Sequence, residues 1–232
     1  MGKLLEKFLT EKNLSANIAE KLDRFMHIVL EKNKVMNLTA ITEESDFEIK
    51  HTIDSLCASE FISENSTLVD IGAGGGFPCV PLAIVLPTVK VTAVDSTAKK
   101  TAFINEAAQK LNLKNLTAVT ARAEEAGRGF LAEKFDFATA RAVATLPILC
   151  ELIAPMLKAG GIMLCYKSND KELKNSESAL NKINCRLKDI KKFELPNGDE
   201  RAIIVIEKTA ATPAIYPRQF NAIKKAPLWK FE

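Results

Sequence analysis

A glycine-rich segment between two apolar runs constrains the fold more than any other feature of this chain. Residues 68–71 are apolar apart from Asp70, and glycine then stands at positions 72, 74, 75 and 76. A second apolar run ends at Asp95, about 20 residues beyond the glycines, as in many nucleoside-binding domains. In α/β proteins a strand, a glycine turn, a helix and a second strand ending in an acid build such a site. We therefore expect a parallel sheet with a ligand at the carboxyl end of its first strand.

The spacing of these glycines distinguishes between cofactors. A dinucleotide-binding loop reads G-x-G-x-x-G, and its third glycine lets the following helix approach and face a pyrophosphate. Here Gly72, Gly74 and Gly76 follow G-x-G-x-G, and Phe77 stands where the third glycine of that pattern belongs. The loop therefore favours a ligand without phosphate, for which S-adenosylmethionine is the obvious candidate, with Asp95 accepting hydrogen bonds from ribose hydroxyls. The alternative is a tight turn without a ligand, against which the flanking strands and Asp95 argue.

Alternating apolar patterns extend from residue 67 to residue 207. We predict strands at 67–71, 89–94, 116–120, 135–140, 161–166, 186–194 and 202–207, and helices at 79–86, 97–111, 145–158 and 171–183. The last two strands are separated by a turn-forming stretch rather than by a helix, so we expect an antiparallel hairpin. The pattern predicts a Rossmann-like α/β fold with about seven mostly parallel strands, typical of class I S-adenosylmethionine-dependent methyltransferases.

The flanking segments have different characters. Residues 1–62 are predicted to form a helical extension in which Ser15 caps one helix and a later helix carries His51 and Asp54. Residues 63–208 form the methyltransferase domain, and residues 209–232 form a basic tail with little periodic pattern. We expect all three to make one compact unit, because the chain is short enough for a single core.

Composition narrows the cellular context. A net charge of +3 does not demand a nucleic-acid partner but permits a local basic patch. The start of the chain lacks the apolar core of a signal peptide, and no apolar run is long enough to span a membrane. We therefore expect a cytoplasmic protein, in which the thiols stay reduced. The five dispersed cysteines and two histidines form no zinc-ligand pattern, so we expect no metal site.

Two further positions follow predicted strands on the ligand edge. Ala123 and Glu124 come after the third strand and are placed to contact adenine, although Glu124 is as readily explained as a solvated residue at a helix start. Arg141 follows the fourth predicted strand, and its alternative partners are a cofactor carboxylate, an RNA phosphate and a surface carboxylate.

Motifs along most of the chain occur together in one known family. They lie at residues 37–39, 51–56, 70–78, 81–84, 94–96, 99–100, 122–124, 141–144, 166–167 and 216–218. In this order and spacing they resemble the bacterial small-subunit ribosomal RNA guanine-N7 methyltransferases, also called glucose-inhibited division protein B. The chain departs from the family at Ser168 and at residues 219–223, where glycine and proline are common. These departures affect the loop beside Lys167 and the tail, not the glycine loop.

The resemblance implies transfer of a methyl group from S-adenosylmethionine to N7 of one specific guanine of 16S ribosomal RNA, either free or in the 30S subunit. The cofactor contacts that it implies are Gly72, Phe77, Asp95, Ser96, Ala123, Glu124 and Arg141. To these we add Gly74 and Gly76 from the physical argument about the loop. Nothing in the sequence indicates an obligate oligomer, so we expect a monomer that does not associate with membranes.

The expected chemistry needs little from the protein. Guanine N7 carries a free lone pair at neutral pH, so direct displacement at the sulfonium methyl requires alignment but no general base, and we assign no catalytic residue. Candidate RNA contacts are His51, Lys167, Arg218, Lys224 and Lys225. The alternatives are that His51 joins the N-terminal helices to the sheet and that the basic residues only solubilise the surface.

The sequence leaves three alternative functions to weigh against this one. A nicotinamide-dependent oxidoreductase would need the dinucleotide glycine pattern and a substrate domain, and the chain has neither. A non-catalytic RNA-binding protein could retain the fold, and a methyltransferase of another substrate would share the cofactor loop. The basic tail and the resemblance argue against this last alternative.

Overall fold

The fold is a seven-stranded sheet with helices on both faces. A computed structural model describes residues 2–231, except for the side chain of Lys3; residues 1 and 232, which end the predicted extension and tail, lie outside the described residues. The strands are β1 Thr67–Ile71, β2 Lys90–Asp95, β3 Leu116–Thr120, β4 Phe135–Arg141, β5 Leu157–Lys167, β6 Cys185–Glu194 and β7 Glu200–Lys208. Their order is β3-β2-β1-β4-β5-β7-β6. The first five strands are parallel, and β7 is antiparallel to both β5 and β6, which confirms the predicted antiparallel hairpin.

A helical extension packs on one face of this sheet. Helices α1 Lys3–Glu11 and α2 Ala16–Met36 come first, and α2 ends at Asn37, whose φ is 49°. A second helical stretch begins with α3 Glu44–Phe47, continues as a π-helical segment Glu48–Ile53 and ends with α4 Asp54–Leu56. Within residues 2–231, no helix combines the length and the apolar character needed to cross a bilayer.

The remaining helices connect the strands and close the tail. They are α5 Cys79–Val85, α6 Ala98–Lys110, α7 Ala123–Arg128, α8 Leu146–Ile153, α9 Glu177–Lys182 and α10 Phe220–Lys225. Two predicted helices are wrong in part. The helix predicted over 145–158 ends at Ile153, and β5 already begins at Leu157 after a 3-10 turn. The helix predicted over 171–183 is a 3-10 turn at Lys171–Leu173 followed by α9.

Strand alternation divides the core into two layers. Successive side chains of a strand point to opposite faces, so Leu68 belongs to the layer under the N-terminal helices, while Val69 and Ile71 belong to the layer under α8. Asp70 points to the same face as Leu68 and is fully buried there. The N-terminal extension therefore covers the sheet directly below the carboxyl end of β1.

The tail is more ordered than its sequence pattern indicates. Ile223 and Trp229 are buried, and the Trp229 indole donates a hydrogen bond of 2.7 Å to the carbonyl of Glu172. Arg218 donates three hydrogen bonds to the carboxylate of Glu151: from its backbone N–H at 2.9 Å, from Nε at 2.8 Å and from a terminal nitrogen at 2.6 Å. Because Glu151 is completely buried in α8, this pair attaches the tail to the sheet.

Replacing Arg218 should therefore destabilise the protein. In Arg218→Met the carboxylate of Glu151 stays buried and loses its charged partner, so the free energy of unfolding at pH 8 should fall by about 2–3 kcal/mol. Urea unfolding measures this change. The control is Arg186→Met, which breaks the exposed pair of Arg186 and Glu207 and should cost less than about 1 kcal/mol. Equal losses in the two variants would contradict the anchoring role of Arg218.

Candidate functional site

A cavity opens at the carboxyl ends of the parallel strands. Its volume is about 320 Å³, and its lining includes five of the residues predicted to contact a cofactor: Gly72, Asp95, Ser96, Ala123 and Glu124. Gly72 follows β1, Asp95 ends β2, and Ala123 begins the helix after β3. The sheet topology therefore brings together residues that are separated in sequence, at the edge where open α/β sheets bind ligands.

The glycine loop has a backbone that only glycine adopts easily. Gly72, Gly74 and Gly76 have φ angles of 70°, 54° and 92°. At Gly76 a side chain would come within 2.8 Å of Val80, and at Gly72 it would collide with Val143. At Gly74, in contrast, an added Cβ would meet only one atom, the carbonyl oxygen of Gly72 at 3.7 Å. Gly74 therefore leaves open space above the loop.

Asp95 holds this loop in position. One oxygen of its carboxylate accepts a hydrogen bond of 3.0 Å from the N–H of Gly74, and the other accepts one of 2.8 Å from the N–H of Thr97. A carboxylate has about four lone-pair sites, so each oxygen keeps capacity for another donor. The carboxylate, the open space at Gly74 and the uncharged loop suit a nucleoside that donates ribose hydroxyls. The residues present thus fit S-adenosylmethionine.

A strained turn follows β4 at the cavity wall. Ala142 has a φ of 56°, which is uncommon for a residue other than glycine, and Val143 lines the cavity while staying 39% exposed. The side chain of Val143 lies against Gly72, so the turn and the glycine loop meet. A residue in such a conformation persists only where the surrounding structure holds it, and residues of this kind cluster at ligand sites.

Arg141 lies beside the cavity and turns away from it. Its guanidinium donates hydrogen bonds of 2.8 Å to the carboxylate of Asp54 and 2.9 Å to the carbonyl of Lys50. A terminal nitrogen also lies 3.0 Å from Nδ1 of His51. Because side chains alternate along β4, Arg141 shares a face with Thr139, which is the face covered by the N-terminal helices. Of the three partners proposed for Arg141, the structure contains a carboxylate of the protein, and the pair is buried.

His51 and Phe77 complete this cluster. Their rings stack with centroids 4.3 Å apart and an interplanar angle of 10°. Burial, and secondarily the charge of Arg141, lower the pKa of His51 to about 3, so the imidazole is neutral at physiological pH. Nδ1 then accepts from Arg141, and Nε2 donates to the hydroxyl of Thr39 at 2.6 Å. Phe77 is buried and lies outside the cavity wall.

The predicted RNA contacts fall into two groups. His51, Lys167 and Arg218 have partners within the protein: the Lys167 ammonium lies 3.0 Å from the Glu172 carboxylate, and Arg218 pairs with Glu151. Lys224 and Lys225 are exposed on α10. Their roles in RNA binding remain predictions, which the structure favours most for the two exposed lysines.

The other residues of the cavity lining were not among the predicted contacts: Ile71, Val94, Thr97, Lys100, Ala121, Arg122, Ala142, Val143, Leu152 and Phe220. Lys100 and Val143 lie within motifs of the family resemblance, and this is the sequence signal that could have indicated them. Leu152 is an ordinary helix residue, and Phe220 comes from the tail, more than fifty residues beyond the last parallel strand. No sequence signal places these two at the cavity.

Solved structures that resemble this fold include several methyltransferases. An S-adenosylmethionine-dependent methyltransferase from Aquifex aeolicus matches with a TM-score of 0.55 at 17% identity, over 72% of this chain and 94% of that one. An O-methyltransferase from Bacillus cereus in complex with SAH matches with a TM-score of 0.57 at 15% identity, over 80% and 91%. The fold is therefore the Rossmann-like fold of class I methyltransferases.

Sequence comparison identifies the family. The family model GidB, described as rRNA small subunit methyltransferase G, matches residues 18–204. A ribosomal RNA small subunit methyltransferase G from Staphylococcus carnosus is 40% identical over 98% of both chains. One from Leuconostoc citreum is 40% identical over 90% of both. The chain belongs to the GidB family of rRNA small subunit methyltransferases, as the sequence motifs predicted.

The buried Asp70 generates a prediction about pH. Burial raises the pKa of Asp70 to about 7, although hydrogen bonds from Thr139 and Cys79 partly oppose the shift. The unfolded chain releases this proton near pH 4. Between about pH 4 and pH 7 the native state therefore binds more protons, and the free energy of unfolding falls as pH rises.

In Asp70→Asn this contribution disappears. The free energy of unfolding of the wild type, minus that of the variant, should fall by about 1.4 kcal/mol per pH unit across this window. Urea unfolding at several pH values measures the difference. His51, with its lowered pKa, contributes the opposite slope, but it is present in both proteins and cancels. Parallel stability curves for the two proteins would show that Asp70 does not titrate in this range.

Proposed function

We propose that this protein transfers a methyl group from S-adenosylmethionine to N7 of one specific guanine of 16S ribosomal RNA. The observation that carries the proposal is the Asp95 carboxylate, held by Gly74 and Thr97 beside a glycine loop with open space above it. Membership of the GidB family supports the choice of ribosomal RNA. The five cysteines are free thiols, which is compatible with action in the cytoplasm, and we propose a monomer.

Different residues of the cavity are assigned to different parts of the cofactor. We propose that Asp95 accepts hydrogen bonds from the ribose hydroxyls and that Ser96 lies beside them, since Asp95 ends β2 and Ser96 follows it. Ala123 and Glu124, at the start of α7, contact the adenine. Gly72 and Gly74 lie under the methionine portion, where a side chain would intervene. Three of the predicted contacts support the loop rather than touch the cofactor: Gly76, Phe77 and Arg141. Gly76 packs against Val80, and the other two contact the N-terminal helices.

The reaction requires orientation more than proton transfer. When bound, S-adenosylmethionine supplies an electrophilic methyl group on a sulfonium. Guanine N7 needs no base to become nucleophilic, so the protein contributes by aligning the base with that methyl group and by excluding water. The turn at Ala142 and Val143 borders the cavity next to Gly72 and is exposed, so we propose that it contacts the incoming guanine. The neutral His51 and the paired Arg141 hold the loop and the turn in place.

The direct test is methyl transfer from labelled S-adenosylmethionine to purified 30S subunits and to free 16S RNA, followed by mapping of the methylated guanine. The proposal expects a single N7-methylated guanine in at least one of these substrates. Transfer to neither substrate, together with thermal stabilisation by NAD and not by S-adenosylhomocysteine, would support the oxidoreductase alternative instead.

Gly74 provides a matched pair of variants. Gly74→Ala and Gly160→Ala each place a side chain at a positive φ, and neither adds a close contact within the protein. Both should lose about 1 kcal/mol of stability for that reason. Only Gly74→Ala should weaken binding of S-adenosylhomocysteine, by at least about tenfold, because its methyl group occupies space proposed for the ligand. Isothermal titration calorimetry measures the affinity, and unchanged binding would remove Gly74 from the site.

The exposed lysines of α10 should contribute to RNA affinity alone. Lys224→Glu with Lys225→Glu should weaken binding to 30S subunits or 16S RNA and lower the salt dependence by about two counterions, with no change in affinity for S-adenosylhomocysteine. Filter binding at several salt concentrations measures both effects. Lys114→Glu with Lys134→Glu is the charge-matched control, since these exposed lysines precede β3 and β4 at the opposite edge. Equal weakening in both double variants would indicate a general charge effect.

A further inference from the structure

Phe220 of the tail lies in the wall of the cofactor cavity. It lines the cavity together with Ala123 and Glu124, although about eighty residues of sequence and three strands separate it from the end of β4. It also borders an adjoining cavity of about 380 Å³, again beside Arg122 and Glu124. Phe220 therefore lies beside the start of the helix that follows β3.

Two anchors fix the chain around Phe220. On its amino-terminal side Arg218 is bound to the buried Glu151 by three hydrogen bonds and also donates to the carbonyl of Ala226 at 2.8 Å. On its carboxyl-terminal side Ile223 is completely buried. An aromatic ring at the start of such a fixed segment loses little conformational freedom when a ligand arrives, because its backbone is already ordered.

The placement of the ribose decides what Phe220 would meet. With the ribose hydroxyls at Asp95 and the methyl group directed to the turn after β4, the base must extend towards β3, where Phe220 lies with Ala123 and Glu124. Aromatic rings bind nucleobases by stacking, which is worth about 1–3 kcal/mol per base in other nucleic-acid sites. Phe220 is half-buried, so its ring keeps a surface available to the cavity.

We propose that Phe220 is a cofactor-binding residue that forms an aromatic wall against the adenine of S-adenosylmethionine. This inference rests on the proposed function, because it requires the nucleoside to bind in this cavity. It assigns to the tail a part of the cofactor site that the glycine loop and the acidic residue after β2 do not supply.

The test measures binding of S-adenosylhomocysteine and of adenosine by calorimetry to the wild type and three variants at Phe220. Phe220→Ala and Phe220→Leu should weaken both ligands by a similar factor of about tenfold, because both lose the ring that would stack on the base. Phe220→Tyr keeps the ring and should bind like the wild type. Phe130→Ala, at a phenylalanine that is 53% exposed and outside the cavity, is the control and should leave both affinities unchanged.

The outcomes separate this inference from the proposed function. If the wild type binds S-adenosylhomocysteine and Phe220→Leu binds it equally well, the inference is overturned and the proposed function stands. A loss of RNA methylation with unchanged binding of both ligands would also overturn it, and would assign Phe220 to the RNA instead. If the wild type binds neither ligand, the proposed function itself fails. Thermal unfolding of each variant without ligand checks the fold. If Phe220→Ala does not fold, Phe220→Leu, which keeps most of the apolar volume, still provides the test.

Discussion

The buried pair of Arg141 and Asp54 holds the two parts of this protein together. Arg141 ends a central strand and Asp54 begins the last turn of the N-terminal helices, so the pair fixes the extension to the ligand edge of the sheet. Asp54 also lies 3.5 Å from Nε of Arg201. Removing Asp54 would leave the Arg141 guanidinium buried without a charged partner, a change that typically costs about 3–5 kcal/mol. The glycine loop depends on this junction, because Phe77 packs against the Arg141 guanidinium and against the rings of Phe25, Phe47 and His51.

Much of the sheet was predictable because its strands are apolar runs separated by turn residues, and the spacing of the glycines limited the cofactor. The direction of Arg141 was also contained in the sequence, since alternation along β4 turns it towards the helices, although the choice of Asp54 as its partner was not. The π-helical segment around His51 could not be predicted, because its apolar residues fit an ordinary helix equally well. The position of Phe220 depends on the ion pair of Arg218 and Glu151 and on the burial of Ile223, which are contacts between distant segments that no local pattern reveals.

The fold alone does not determine the reaction. A structure described as a [4+2]-cyclase, SpnF, matches this chain with a TM-score of 0.56 at 14% identity, about as well as the methyltransferases do. A shared sheet provides a place for a ligand, and the chemistry depends on the side chains around it. In this protein those side chains come from the ends of four strands and from the tail, and the family relationship, rather than the architecture, directs attention to ribosomal RNA.

Helix α10 carries residues proposed to contact both the cofactor and the RNA. Its six residues carry Phe220 at the cavity and Lys224 and Lys225 on the surface, and the Lys224 ammonium lies 5.8 Å from the centre of the Phe220 ring. On the proposals made above, cofactor and RNA share one rigid element. Thermodynamic linkage makes any coupling through this helix reciprocal: the factor by which bound cofactor changes the affinity for RNA equals the factor by which bound RNA changes the affinity for the cofactor. The order in which the two ligands arrive would then change the path to the ternary complex but not its stability.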